Sequence, residues 1–510
     1  MKQYLAYIAV GVLAFQSCND FEKMNIDPNN PAVVPVEMLL PPVISGGVNT
    51  MVGSGRRAGQ YVQHLAYPGG TSESDGRFNL TGANWREEWN GAVRLIKDVN
   101  QMKLLAEQNN QPEYLALAHI NKVYILSLVT DAFGDIPYDE AGMGNADGLE
   151  FPKFQAQEEV YQRMLEDLEA ANTLLAELPA GVSVSRDILY NGNLQKWRKF
   201  ANTLMIRILM RQSAKKDVSQ QVGEIFNNPD RYPVFSSVDD GATLIYNNSS
   251  DYYAWFIQNP SSDGSGVDFS DNARISDVMV GLLKRGSDPR LPVYAAPTRN
   301  SFLANAADAD KELEYRGQTA GLSAAEQEAL YESTGLKEGD FSVVGRRIRR
   351  GDRAFLMTYS ELLLLKAEAI QRNMGVIGQV EEVYRDAVDA SFDKWKQVGS
   401  QSQSQNPYIS DSQREAYWLR PANKYQQEKG LTMIAEQYFI DSFLNGFEGW
   451  ASWRRTGIPE IQPGPSVLAS IPVRYVYSDN EQNNPRLIEW VEQHMGGKMP
   501  NHNVKVWFQP

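Results

Sequence analysis

The sequence predicts a mainly α protein: a scaffold of tetratricopeptide-like helical hairpins with large loop-rich insertions that carry short β-strands. Three observations predict it. Apolar residues recur at spacings of three and four in several long stretches. Those stretches come in pairs joined by turns, the pattern of antiparallel helix hairpins. Between the pairs lie long segments rich in Asn, Ser, Gly and Asp, with only brief β-prone runs. The chain has 510 residues, 42% hydrophobic and 22% charged, enough for a sizeable core. Its net charge is -14, with 49 Lys and Arg against 63 Asp and Glu, which argues against a nucleic-acid surface. The one basic run, Arg346, Arg347, Arg349 and Arg350, is too short to make a groove and reads as a locally paired strand or loop.

In chain order, Lys2 precedes an apolar run over 4–15. A bilayer span needs about 20 such residues, so residues 1–17 read as a signal peptide. Cys18 follows at once and is the only cysteine. It has no internal disulfide partner, and its place resembles a bacterial lipobox, in which the cysteine becomes the lipidated first residue. Asn19, Asp20 and Glu22 give the mature chain an acidic start. Residues 18–55, rich in Asn, Pro and Gly, read as an extended tether with little regular structure, and a single domain fills 56–510. No later stretch is long and apolar enough to span a membrane, so attachment rests on lipid.

Residues 56–66 could open a helix, and a long polar loop with aromatic ends follows, from Tyr67 through Arg77, Phe78 and Asn79. Trp85, Trp89, Val93, Ile96, Val99 and Met102 set a helical period, and a partner helix is expected over 113–130. Val160, Met164, Leu168, Ala171 and Leu175 predict a third helix, and Trp197, Ala201, Leu204, Ile208 and Met210 a fourth. Residues 217–355 read as the largest insertion, with strands expected at 242–246 and 341–348. The most helical stretch is 358–372, where Thr358 and Glu361 stand at capping-box spacing and Leu362, Leu363, Leu364 and Leu365 cover much of the circumference. Glu368 and Arg372, four apart, are expected along one wet edge, and Asn373 and Gly375 supply a left-handed stop. Val380, Val383, Tyr384, Ala387, Val388, Phe392 and Trp395 predict the partner helix. A further helix is expected over 431–444, and 446–510 reads as loop-rich. The scaffold thus covers about 56–214, 356–397 and 430–445.

Four motifs in order resemble the SusD/RagB family of outer-membrane nutrient-binding lipoproteins. Tyr359-Ser360-Glu361-Leu362-Leu363, followed by Lys366-Ala367-Glu368-Ala369, is similar to the family's core helix. Residues 131–138 resemble its Gly-Asp-x-Pro-Tyr turn. Gly446-Phe447-Glu448-Gly449-Trp450 with Trp453-Arg454-Arg455-Thr456-Gly457-Ile458-Pro459 resembles its C-terminal signature, and Ile471-Pro472-Val473-Arg474-Tyr475 with Glu481 and Asn484 the segment after it. The resemblance implies a lipid-anchored protein on the outer-membrane surface. It would bind oligosaccharides, or in some members peptides, and deliver them to a SusC-like TonB-dependent transporter without chemistry of its own.

A neutral sugar presents an apolar ring face and a rim of hydroxyls, so its binder needs flat aromatic surface beside amides and carboxylates. Two stretches have that mixture: Asp251, Tyr252, Tyr253 and Trp255, flanked by Asn247 and Asn248, and Tyr67, Arg77, Phe78 and Asn79. Glu448, Arg454 and Arg455 read as a structural or transporter-facing ion pair. His64, His119, His494 and His502 are scattered and match no zinc pattern, so no catalytic metal and no cofactor is expected. Two rival readings are a surface glycoside hydrolase, for which no motif selects a carboxylate pair, and a structural docking protein.

Overall fold

The structure, a computed structural model, describes residues 34–69, 77–78, 85–144, 149, 151–246, 273–345, 348, 353–396, 409–465 and 470–510. After a short turn at Val36–Met38, helix α1 spans Leu40–Tyr61. This corrects the expected tether, because residues 40–55 are helical. Pro41 and Pro42 fall in the first turn, where the amide hydrogens they lack have no intrahelical partner. Gly46 lies against Leu95, and Gly59 lies against Gly446. Gly46, which read as loop punctuation, is a close-approach point.

Strand β1 (Leu65–Ala66) follows, then α2 (Arg86–Gln108) and α3 (Pro112–Phe133), the first hairpin. Seventeen of the 22 residues of α3 are buried, so this helix lies inside the helical layer rather than on its surface. It packs against α2 on one side and α4 (Gln157–Glu177) on the other, and α4 pairs with α5 (Leu194–Gln212). Helix α6 (Ser219–Asn227) and strand β2 (Ala242–Ile245) come next.

The insertion is more helical than expected. It holds β3 (Arg274–Ile275), α7 (Asp277–Arg285), a single turn α8 (Leu291–Tyr294), α9 (Arg299–Ala307) and α10 (Ala324–Thr334). The caps Ser276, Thr298 and Ser323 accept hydrogen bonds from Met279, Ser301 and Glu326, short local signals that stabilise short helices. Strand β4 is Arg353–Met357 and pairs antiparallel with β2, while β3 pairs with β1. Among the described residues of 341–348, the expected strand is present only as isolated bridges at Val343 and Val344.

Helix α11 (Tyr359–Gln371) and α12 (Val380–Lys396) form a hairpin, turned at Asn373 and Gly375, both at positive φ. Helices α13 (Asp411–Leu419) and α14 (Gly430–Asp441) follow, then α15 (Gly446–Thr456) and α16 (Pro485–His494), so the region expected to be loop-rich opens with a helix. Helix α11 packs on α12 and α14, and α15 crosses α1.

Inside this layer the acidic residues of α11 do not behave as its local pattern suggests. Thr358 caps Glu361 N–H as expected, but the Glu361 carboxylate turns inward and takes two hydrogen bonds from Arg207, both 2.7 Å. Arg211 reaches Glu448 at 2.7 Å and Asp131 at 3.0 Å. The Tyr438 hydroxyl lies 2.9 Å from Glu361 and 2.8 Å from Glu448. Burial pushes the Glu361 carboxyl up. At Glu448 burial pushes the same way, but Arg211 and Arg207 outweigh it and hold that carboxyl below the usual range. Glu368, expected on a wet edge, is 8% exposed and held by Arg455 and Arg372. Removing charges from water is repaid only by dense pairing, and here the pairing joins α3, α5, α11, α14 and α15.

Candidate ligand-binding site

The four sequence motifs meet one another rather than a ligand. Trp450 donates to the Pro472 carbonyl at 2.8 Å and stacks on Tyr475 at 5.2 Å. Tyr475 N–H donates to Ala132 at 2.7 Å, and Arg454 to the Asp131 carbonyl at 2.6 Å. Asp135 accepts from Gln157 N–H and Trp490, each at 2.9 Å. Glu448, Arg454 and Arg455 are all buried, which settles their role as structural.

Of the residues expected to face a ligand, Asn79, Asp251, Tyr252, Tyr253 and Trp255 lie outside the described residues, as does Cys18. So do Arg346, Arg347, Arg349 and Arg350 of the basic run. Tyr67 and Phe78 depart from the expectation. They are 3% and 1% exposed, and a covered ring offers no face to a sugar. Tyr67 accepts a hydrogen bond from Arg56 at 3.1 Å. Phe78, at a φ of 56°, sets its ring edge-on to Tyr61 at 5.8 Å. Both rings anchor the loop. Gly69 N–H donates to Gln327 at 3.3 Å, and a Cβ at Gly69 would come 2.0 Å from the Ser323 carbonyl, so the loop's start is pressed onto the first turn of α10. Arg77 is half-buried beside Glu326, whose carboxyl it helps to hold down, after the stronger pull of the Ser323 amide.

Among the described residues the larger open space lies along α2, and of the four motifs only the end of the 131–138 turn and Glu481 and Asn484 border it. A cleft of about 900 Å³ is bounded by one face of α2, the turn over 136–144, Phe151, Pro152 and the turn over 480–484. Its floor is apolar, with Trp89, Ala92, Ile96 and Val129. Its rim carries Asn100, Gln101, Asn480, Asn483 and Asn484. Outside those motifs the sequence hint was Leu104, which falls off the buried stripe of α2 and is 46% exposed.

A second cleft of about 420 Å³ adjoins it, sharing Asn100, Leu104 and Met143. Here Asp167 accepts from His119 Nδ1 at 2.8 Å and from the Tyr138 hydroxyl at 2.5 Å, with Lys122 at 3.6 Å. Burial would raise the Asp167 carboxyl, but these donors outweigh it and bring it to about 2. Burial lowers the Lys122 ammonium, which sits 4.1 Å from the centre of the Tyr138 ring.

Among the described residues, no group of three or more His, Cys, Asp or Glu side chains is placed to hold a metal ion. No described helix is long and apolar enough to cross a membrane.

Comparison with known proteins follows the same lines. The SusD-like family profile, described as starch-binding and associating with the outer membrane, matches residues 28–478. Among solved structures, a chitin-binding protein is 26% identical, with a TM-score of 0.75 over 93% of this chain and 99% of its own. A SusD homologue from Bacteroides fragilis NCTC 9343 is 22% identical, with a TM-score of 0.73 over 91% and 99%. One from Bacteroides uniformis ATCC 8492 is 21% identical, with a TM-score of 0.71 over 94% and 100%. The last two show the shared fold. A search of curated proteins finds no match. The motifs that pack the scaffold are thus the family's own, and the chain belongs to the SusD-like family of outer-membrane-associated, carbohydrate-binding proteins that carry out no catalysis.

Proposed function

We propose that the protein is a lipid-anchored subunit of the outer cell surface that captures oligosaccharides and passes them to a SusC-like TonB-dependent transporter. The observation that carries this reading is the family match over residues 28–478, with its description of starch binding at the outer membrane. The 26% identical chitin-binding structure favours a saccharide over a peptide. Cys18, directly behind the short apolar run, supplies the lipid attachment.

In this reading Tyr252, Tyr253 and Trp255 provide the sugar-stacking faces. Asp251, Asn79 and Arg77 serve its hydroxyls, and Tyr67 and Phe78 hold the neighbouring loop in place. A half-covered Trp face contributes about 2 kcal/mol, so two or three such contacts give weak binding after association costs. Weak capture suits a protein that must release its cargo to a transporter.

The test is titration of the chain starting after Cys18 with neutral oligosaccharides and with peptides, by calorimetry. Saccharide binding, weakened by Tyr253→Ala and Trp255→Ala without a change in melting temperature, is the expected result. Release of reducing ends would make the protein a hydrolase. Binding of neither class, with co-purification of a barrel protein, would favour a docking role.

A further inference from the structure

We infer that the groove along α2 is a second carbohydrate site, separate from the aromatic loops, that takes a segment of a neutral oligosaccharide. The inference rests on the reading of the chain as a glycan binder. The two clefts join through Asn100, Leu104 and Met143. From Trp89 to Glu107 the helix advances about 27 Å at 1.5 Å per residue, and an open trough of that length fits a chain-like ligand.

Its chemistry selects among chain-like ligands. Leu104, Met143 and Phe151, exposed by 46%, 37% and 38%, all border the first cleft, and clustered exposed apolar side chains mark binding surfaces. Five side-chain amides share that cleft with them. Among the described residues, Lys97, Gln101 and Asn480 make no side-chain hydrogen bond to another residue, so their donors and acceptors are available to a ligand. An apolar partner helix, its backbone already paired, would bury these amides without partners at a cost for each. A saccharide covers the apolar floor with a ring face and pairs the amides with hydroxyls.

Charge narrows the class further. Among the described residues the two linings together hold four Lys and Arg against six Asp and Glu. A net negative trough disfavours sulfated or uronic-acid chains and fits a neutral one.

The walls are already in place. Asn100 donates to the Ala141 carbonyl at 2.8 Å and Glu140 accepts from Lys153 N–H at 2.6 Å. Gly142, at a φ of 70°, is pressed so close to α2 that a Cβ would lie 2.8 Å from the Lys97 nitrogen. A preformed site spares the ligand an ordering cost. A second foothold on one polymer raises its local concentration at the first, so the groove serves retention of long chains.

The test compares the chain starting after Cys18 with its Leu104→Lys/Phe151→Ala variant. Ligands are neutral maltooligosaccharides and chitooligosaccharides of increasing length, and insoluble starch and chitin. Both substituted side chains are surface-exposed, and equal melting temperatures verify folding. The expected result is a loss of about tenfold in affinity for the polymer and the longest oligosaccharides, with short ones nearly unaffected. In the Tyr253→Ala/Trp255→Ala background, residual saccharide binding is expected to vanish when the groove is also changed. Wild-type saccharide binding that the groove variant leaves unchanged at every length overturns the groove alone. No saccharide binding by the unaltered chain overturns the glycan reading and the groove with it. Peptide binding that the groove variant abolishes overturns the carbohydrate assignment.

Discussion

Arg207 of α5 holds both carboxylate oxygens of Glu361 of α11 at 2.7 Å, across 154 residues of chain and buried in the core. The pair fastens α5 to α11. Breaking it from one side leaves a buried carboxylate without its counter-charge, which typically costs about 3–5 kcal/mol. Arg207→Met is therefore expected to lower stability by that order in chemical denaturation. An Arg207→Met/Glu361→Leu double variant should recover part of the loss, and a double variant no better than the single would show that charge is not the cause.

His64 predicts a pH dependence. Its ring is buried between Phe439 and Gly449, neither nitrogen has a hydrogen-bond partner of normal geometry, and desolvation pulls its pKa from 6.5 to about 3. Below pH 6.5 the unfolded chain takes up a proton that the folded chain refuses. The stability His64 permits is whole above that pH and falls towards pH 3, by about 1.4 kcal/mol per pH unit. Urea melts at pH 7 and pH 5 are expected to show a smaller difference for His64→Leu than for the unaltered protein. Equal differences would assign the acid sensitivity to other groups.

At the crossing of α1 and α15, a Cβ on Gly446 would come 2.4 Å from the Gly55 carbonyl and 2.6 Å from the Gly59 nitrogen. Neither neighbour is a side chain that can swing away. Gly446→Ala is expected to cost about 1–3 kcal/mol, the usual range for overpacking, read as a lowered melting temperature.

Phe78 and Trp255 are expected to separate in their effects. Phe78→Ala removes a fully covered ring and should cost about 3–5 kcal/mol of stability. Trp255→Ala should change glycan affinity and leave the melting temperature in place. A stable Phe78→Ala protein that has lost its ligand would return that ring to the binding surface.

Much of the scaffold was legible because its helices carry their own period. Leu362 to Leu365 and Ala367 make α11 recognisable from its own residues, and the spacing of Val160, Met164 and Leu168 does the same for α4. Helix α1 was not legible, since Pro41, Pro42, Gly46 and Gly47 spell a loop and the helix owes its stability to packing between α2 and α15. Glu361 shows the limit within a helix that was read correctly. Its spacing from Thr358 announced a cap, while its real partner, Arg207, lies in another hairpin. The groove was invisible for a related reason. Asn100, Phe151 and Asn480 come from three distant stretches, and no local pattern marks residues that matter only once the chain has brought them together.

Strands β2 and β4 close a long loop at its base. Ile245 and Arg353 face each other across one ladder, so the chain leaves the scaffold and returns to it at neighbouring points. Between them the chain is tied to the body again, by β3 on β1 and by Arg290 and Tyr294, which bond to Ser391, Gln437 and the Ile440 carbonyl. A loop closed at its base can grow, shrink or change composition at little entropic cost to the body that carries it. Retargeting the protein thus costs least between β2 and β3, because a change further along must spare the contacts of Ser276, Arg290 and Tyr294 with the body.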